Sequence, residues 1–220
     1  MLKKIKTKPV FKSKIKGVLF DYNGVIVNDL GACGRAECDV IYALGGQKLS
    51  MAYWFKHIHQ DWQKFYLDHG VPKNNLSKVH NTMDRYYKNY EKYIKINPGV
   101  KSLLKQLQLK GLKMGILSAA SGGIVKSGLK RFGLDNYFSF IVSGKDVAKP
   151  KPHPEGLLKS VKLFNLSPQE VIYVDDMPKM FAVANKIGFK TVGFYSRVSG
   201  DLSLANIRIK NIKSLINHLT

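Results

Sequence analysis

Apolar and polar positions follow two different rhythms along this chain. Val18, Leu19 and Phe20 form a short unbroken apolar run that ends at Asp21, and a sharp turn follows at Gly24. The run reads as a buried strand that delivers a carboxylate to its C-terminal end. Between residues 30 and 97 the strand-like runs disappear. Aromatics recur there at spacings of three and four: Trp54 and Phe55, then Trp62, Phe65 and Tyr66, then Tyr86, Tyr87, Tyr90 and Tyr93. That pattern predicts three or four helices packed on one another, with breaks at Gly45-Gly46, Gly70 to Pro72 and Pro98-Gly99.

From Pro98 onward strand and helix patterns alternate. The spacing predicts helices over 100–109, 124–132, 154–164 and 178–187, interleaved with strands over 113–117, 138–142, 171–174 and 191–194, then a short strand and a closing helix over 207–219. Such repetition implies right-handed βαβ crossovers and a parallel sheet with helices on both faces. The expected fold is α/β: a Rossmann-like core from residues 17–29 and 98–220, an inserted helical domain at 30–97, and a basic N-terminal extension at 1–16.

Composition narrows the class. With 220 residues and 45% hydrophobic content the chain can bury a sizeable core, and no apolar run is long enough to cross a bilayer. The start, MLKKIKTKPVFKSKIK, has no apolar signal region, and Cys33 and Cys38 match neither a zinc site nor a disulfide framework. A cytoplasmic protein with free thiols is expected. The formal charge is +21, from 36 Lys and Arg against 15 Asp and Glu. The lysines are scattered over nearly every segment, so dedicated nucleic-acid binding is not expected, whereas attraction of small phosphorylated anions is.

Candidate chemistry gathers where strands end. Asp21 closes the first strand. Ser118, Ala119, Ala120 and Ser121 follow the strand over 113–117 and precede a helix, an arrangement whose hydroxyl and backbone N–H groups can cradle an anion. Lys149 and Lys151 sit in AKPKPHP, where prolines stiffen the chain around a cation. VIYV ends in Asp175-Asp176, and unit charges about 4 Å apart repel by roughly 4 kcal/mol at an effective dielectric near 20. A hard divalent ion such as Mg²⁺ would relieve that repulsion in an oxygen-only site.

In the order acid, Ser, Lys, paired acids, the segments GVLFDYNGVIVND, LSAAS, KPKPHPEGLLKS and VIYVDD resemble the four motifs of the haloacid dehalogenase superfamily, most closely its phosphoglycolate phosphatase and β-phosphoglucomutase branches. The resemblance implies that residues 30–97 are a helical cap that closes over a small phosphorylated substrate. It further implies that Asp21 is the nucleophile of an aspartyl-phosphate mechanism and that Ser118, the Ala119 backbone and Lys149 hold the phosphoryl group. Mg²⁺ would be bound by Asp21, the main chain of Asn23, and Asp176 with help from Asp175. Met180 stands where other members carry a later acid.

One residue departs from the pattern. Phosphatases of this superfamily carry a second Asp two residues after the nucleophile, as general acid and base; here it is Asn23. The expectation is a Mg²⁺-dependent phosphatase slowed by that change, with two alternatives: a phosphate-binding protein without turnover, or a phosphonatase- or dehalogenase-type hydrolase. Phosphonatase chemistry needs a cap lysine, for which Lys56 and Lys64 offer themselves. Mutase chemistry is disfavoured because Leu30 to Arg35 contains no His. His57 and His59 are expected to pack or face solvent.

Overall fold

The structure is a computed structural model that describes residues 14–58, 62–196 and 199–219. Most of the basic extension and His59 lie outside the described residues. The chain divides into two compact units, one formed by residues up to Ile26 and from Asn97 onward, the other by Val27–Ile96. The division differs from the expected 30–97 by a few residues for a local reason. Strand β2 (Val27–Asn28) pairs antiparallel with β3 (Lys95–Ile96), so both chain ends of the insert belong to a two-strand ribbon of its own.

In chain order the first core strand is β1 (Gly17–Phe20). After β2 the insert contributes α1 (Leu30–Ala43), α2 (Met51–His57), α3 (Trp62–Asp68) and α4 (Val79–Asn89) before β3. The aromatic spacing is explained by its core: Trp54, Phe65, Tyr66 and Tyr87 are buried, and helix α1 carries Gly34 where a Cβ would sit 2.7 Å from the Trp54 ring. The Trp54 indole donates to Glu37 at 2.6 Å, and Tyr87 donates to the buried Asp29 at 2.9 Å. Lys64 pairs with Asp68 at 2.7 Å on the surface and Lys56 is exposed. Cys33 and Cys38 are free thiols.

The core then continues with α5 (Val100–Leu109), β4 (Lys113–Leu117), α6 (Gly122–Phe132), β5 (Phe140–Val142), α7 (Glu155–Phe164), β6 (Val171–Asp175), α8 (Lys179–Ile187), β7 (Lys190–Phe194) and β8 (Ile207–Ile209). The expected closing helix is a 3-10 helix over Ile212–His218. The six strands form one parallel sheet in the order β5-β4-β1-β6-β7-β8. Strand β1 lies in the middle with no exposed surface at Val18, Leu19 or Phe20, which is why its sequence is apolar throughout and does not alternate.

Alternate strand residues pack on opposite faces. Leu19, Leu117, Val142, Val171 and Tyr173 meet Leu157, Val161 and Phe164 of α7 and Met180 and Ala184 of α8. Met180 is therefore a core residue at 2% exposure, placed by packing. Phe20 points the other way, edge-on to Phe138 at 6.3 Å. Among the described residues, no helix is long and apolar enough to cross a membrane.

Candidate active site

The order of the sheet determines where the chemistry collects. Connections leave β1 toward β4 and β5 on one side and toward β6, β7 and β8 on the other, so the C-terminal end of β1 is the point where the strand order reverses. Phe20 is in register with Ile116 of β4 and Val174 of β6. The next residues along these strands bring Asp21, Ser118 and the Asp175-Asp176 pair to the same edge.

The turn after Asp21 is held by the core. Asp21 N–H donates to Val174 O at 2.8 Å, and the Asn97 side chain donates to Gly24 O at 2.6 Å and Val25 O at 2.9 Å. Gly24 has φ +80° and a Cβ there would collide with the Asp176 carboxylate, so glycine is required both by backbone conformation and by space. The loop after β4 is laced to the loop after β5: Ser118 N–H donates to Val142 O at 2.9 Å and Gly144 N–H to Ala120 O at 3.3 Å. At Gly144 a Cβ would sit 2.6 Å from Ala119 O. Ser121 caps α6 by accepting from Ile124 N–H.

Lys151, not Lys149, reaches the carboxylates. Its Nζ lies 2.6 Å from Asp21 Oδ1 and 3.1 Å from Asp175 Oδ2. Lys149 is exposed, because Glu155 in the first turn of α7 accepts the backbone N–H groups of Ala148 at 2.8 Å and Lys149 at 3.0 Å and leaves the Lys149 side chain in solvent. The expectation placed Lys149 on the phosphoryl group; the structure brings Lys151 to the carboxylates and leaves Lys149 exposed. Both lysines follow the same X-Pro pattern, so spacing does not separate them. What separates them is the face: Lys151 enters from the α7 side of the sheet, where Tyr173 and Asp175 also point.

Tyr173 is a further residue that the motif reading passes over. Its hydroxyl donates to Asp175 Oδ2 and its ring lies 5.5 Å below the Lys151 ammonium. Two-residue periodicity in β6 places 173 and 175 on one face, a signal present in the sequence. Asp175 Oδ1 accepts Met177 N–H at 2.9 Å, so both Asp175 oxygens have protein donors. Asn97 and Lys113 lie outside every motif as well; Lys113 donates to Phe164 O at 2.7 Å and ties β4 to the end of α7. Asn23 stands at the site edge, where Ser118 Oγ donates to its Oδ1 at 3.1 Å.

Charge balance in this hollow is uneven. One ligand oxygen from each of Asp21, Asp175 and Asp176 lies within 4.8 Å of the others, and all three residues are buried. Burial pushes Asp21 up to about 7; Lys151 opposes the shift and Asp175 adds to it. Burial, then Asp175 and Asp21, push Asp176 well above the carboxylate range. For Lys151 burial favours the neutral amine, but Asp175 and Asp21 override it and hold the ammonium charged. The cluster thus holds three carboxylates and one ammonium, which pairs with two of them. Fully ionised they would leave about two negative charges in a buried space, with pairwise repulsion of roughly 3.5 kcal/mol at an effective dielectric near 20. Oxygen-only donors, excess negative charge and raised proton affinity fit a hard divalent cation.

Known proteins are similar to this chain over most of its length. The chain is 26% identical to phosphoglycolate phosphatase of Escherichia coli strain K12 over 230 residues, covering 92% of this chain and 91% of that protein. It is 27% identical to pyrophosphatase PpaX of Bacillus mycoides over 186 residues, covering 81% and 83%. The solved structure of a haloacid dehalogenase-like family hydrolase from Streptococcus pneumoniae superposes with a TM-score of 0.77 at 13% identity, over 94% of this chain and 99% of that one. The family model described as haloacid dehalogenase-like hydrolase matches residues 18–194, from the second residue of β1 to the end of β7. A match of that extent, with the acids of β1 and β6 at one edge of the sheet, makes this chain a member of the haloacid dehalogenase-like hydrolase family.

Proposed function

We propose that the chain is a Mg²⁺-dependent phosphohydrolase that transfers a phosphoryl group from a small phosphorylated metabolite to Asp21 and then to water. The observation that carries this reading is the Asp21 carboxylate, buried at 6% exposure, ion-paired to Lys151 at 2.6 Å, and gathered with Asp175 and Asp176 within 4.8 Å at the reversal point of the sheet. Relatives named phosphoglycolate phosphatase and pyrophosphatase support the same reaction type.

Asp21 supplies the nucleophilic oxygen, and its orientation is set by the backbone bond to Val174 and by Lys151. Lys151 supplies a fixed positive charge where negative charge accumulates on the phosphoryl oxygens. Ser118 and the backbone of the loop over 118–121 are the hydrogen-bonding side of the cradle, stiffened by the bonds to Val142 and Gly144. Asp21 and Asp176, with Asp175 behind them, are the residues that would hold Mg²⁺. When bound, the ion neutralises the surplus carboxylate charge and polarises phosphoryl oxygen. Asp175 is best suited to orienting Lys151 and Met177, since its own oxygens already have donors.

Turnover of a generic aryl phosphate with Mg²⁺ tests the reading. It requires activity in the wild type that is lost in Asp21→Ala. Asn23 favours a second reading, a protein that binds phosphate without turnover; a wild type that binds vanadate yet releases no phosphate would establish it.

A further inference from the structure

Residue 23 bears on which bond the site can break. Ala120 N–H donates to Ser118 Oγ at 3.1 Å, and Ser118 Oγ donates to Asn23 Oδ1 at 3.1 Å. The acceptor oxygen of the amide is thereby engaged by the cradle, and its nitrogen is a hydrogen-bond donor only. The amide has no proton to transfer to a departing anion.

Other polar side chains at this end of the core have roles of their own, Asp176 among the residues that would hold Mg²⁺. Both Asp175 oxygens have protein donors, Lys151 is divided between two carboxylates, and Ser118 both accepts and donates. His153, the imidazole nearest in sequence, is exposed and its Nδ1 accepts Glu155 N–H at 3.3 Å.

We infer, resting on the hydrolase reading above, that the site is matched to phosphoryl donors whose leaving oxygen departs as a stable anion. These are phosphoanhydrides and acyl or aryl phosphates, as opposed to alkyl phosphomonoesters. In the first step an Asp21 oxygen forms a bond to phosphorus while the bond from phosphorus to the leaving oxygen breaks, and that electron pair leaves with the oxygen as an anion. In the second, water adds to phosphorus and the Asp21 carboxylate departs with the electron pair of the acyl-phosphate P–O bond. Both hydrogens of the water leave on orthophosphate as H₂PO₄⁻. Neither step draws a proton from residue 23. An alkoxide is too basic to leave unprotonated, whereas a phosphate, carboxylate or acidic phenolate is not.

The experiment measures kcat/KM with Mg²⁺ for a series of substituted aryl phosphates of graded leaving-group pKa. Acetyl phosphate, inorganic pyrophosphate and glycerol phosphate are added, and wild type, Asn23→Asp and Asn23→Ala are compared. Because kcat/KM reports the barrier up to phosphorylation of Asp21, slow hydrolysis of the phosphoenzyme does not mask the trend. A loose transition state without proton transfer places nearly full charge on the leaving oxygen, so wild-type kcat/KM should fall about tenfold per unit of leaving-group pKa. Asn23→Ala should keep that slope. Asn23→Asp should flatten it to about twofold per unit and raise turnover of glycerol phosphate by about 10²- to 10⁴-fold. Asn23-Gly24 is a deamidation-prone pair, so intact mass must show that the wild-type preparation retains the amide. A wild-type slope that is already shallow, or glycerol phosphate cleaved as readily as the aryl esters, overturns the inference while leaving the hydrolase reading intact. Silence toward every donor overturns the hydrolase reading itself.

Discussion

Replacing Lys151 should damage both activity and stability, whereas replacing Lys149 should damage neither. Lys151 Nζ lies 2.6 Å from Asp21 and 3.1 Å from Asp175, with 16% of its side chain exposed. At an effective dielectric near 20 these contacts amount to about 6 and about 5 kcal/mol of gross attraction. Most of that offsets the desolvation of burying the ions, so the relevant figure is the cost of leaving carboxylates buried without their partner, about 3–5 kcal/mol. Lys151→Met keeps the length of the side chain and removes only the charge. Urea unfolding at pH 7 without Mg²⁺ should show a loss of this size, partly relieved as pH is lowered because Asp21 and Asp176 can then take up protons. If Lys151 has the proposed role, loss of its charge should lower kcat on an aryl phosphate by about 10²- to 10³-fold. Lys149→Met, at an exposed position whose only described bond is a backbone one, should change stability by less than about 0.5 kcal/mol. A Lys149 variant that loses activity while the Lys151 variant retains it would refute the assignment.

Four further outcomes follow from the same structure. Asn97→Ala removes the donor to the Gly24 and Val25 carbonyls and should cost about 1–3 kcal/mol in denaturant unfolding, with a fall in kcat because the turn after Asp21 is released. Gly24→Ala forces a Cβ against Asp176 at φ +80° and should weaken Mg²⁺ binding in calorimetry more than it weakens the fold. Mg²⁺ at about 100 times its dissociation constant should stabilise the protein by about 2.7 kcal/mol, and Asp176→Asn should abolish the effect. In the insert, burial pushes Glu37 from 4.5 up to about 7, against the lowering effect of the Trp54 hydrogen bond. A carboxyl raised in the folded state contributes stability that is complete below about pH 4.5 and is lost as pH rises through 7. The loss approaches about 3 kcal/mol, and Glu37→Gln should flatten the stability profile over that window.

The sheet was legible because its signals are local and redundant. The core helices carry apolar positions at helical spacing, β1 and most of β6 are short apolar runs, and left-handed glycines at Gly133 and Gly188 close α6 and α8. The positions of Asp21, Ser118 and Asp175-Asp176 followed from strand ends alone. What escaped depends on direction in three dimensions. Lys149 and Lys151 are equivalent in pattern, and the choice between them rests on how Glu155 folds the proline loop onto α7. Asn97 belongs to no motif, yet it holds the turn that follows Asp21, a pairing of residues 72 and 73 positions apart. The boundary of the insert moved because a two-residue strand is too short to carry a periodicity of its own.

The ribbon formed by Val27–Asn28 and Lys95–Ile96 acts as a clasp on the covalent chain. Ile26 and Asn97, the residues just outside it, are joined by a backbone hydrogen bond of 3.1 Å, so the polypeptide departs from the Rossmann-like body and returns to it through adjacent threads. Everything between those threads is an excursion that starts and finishes at one doorway. Such an excursion can lengthen, shorten or be exchanged for an unrelated module while the end of the sheet that carries Asp21 keeps its geometry, and a two-residue hairpin spliced across the doorway should leave the six-stranded body able to fold.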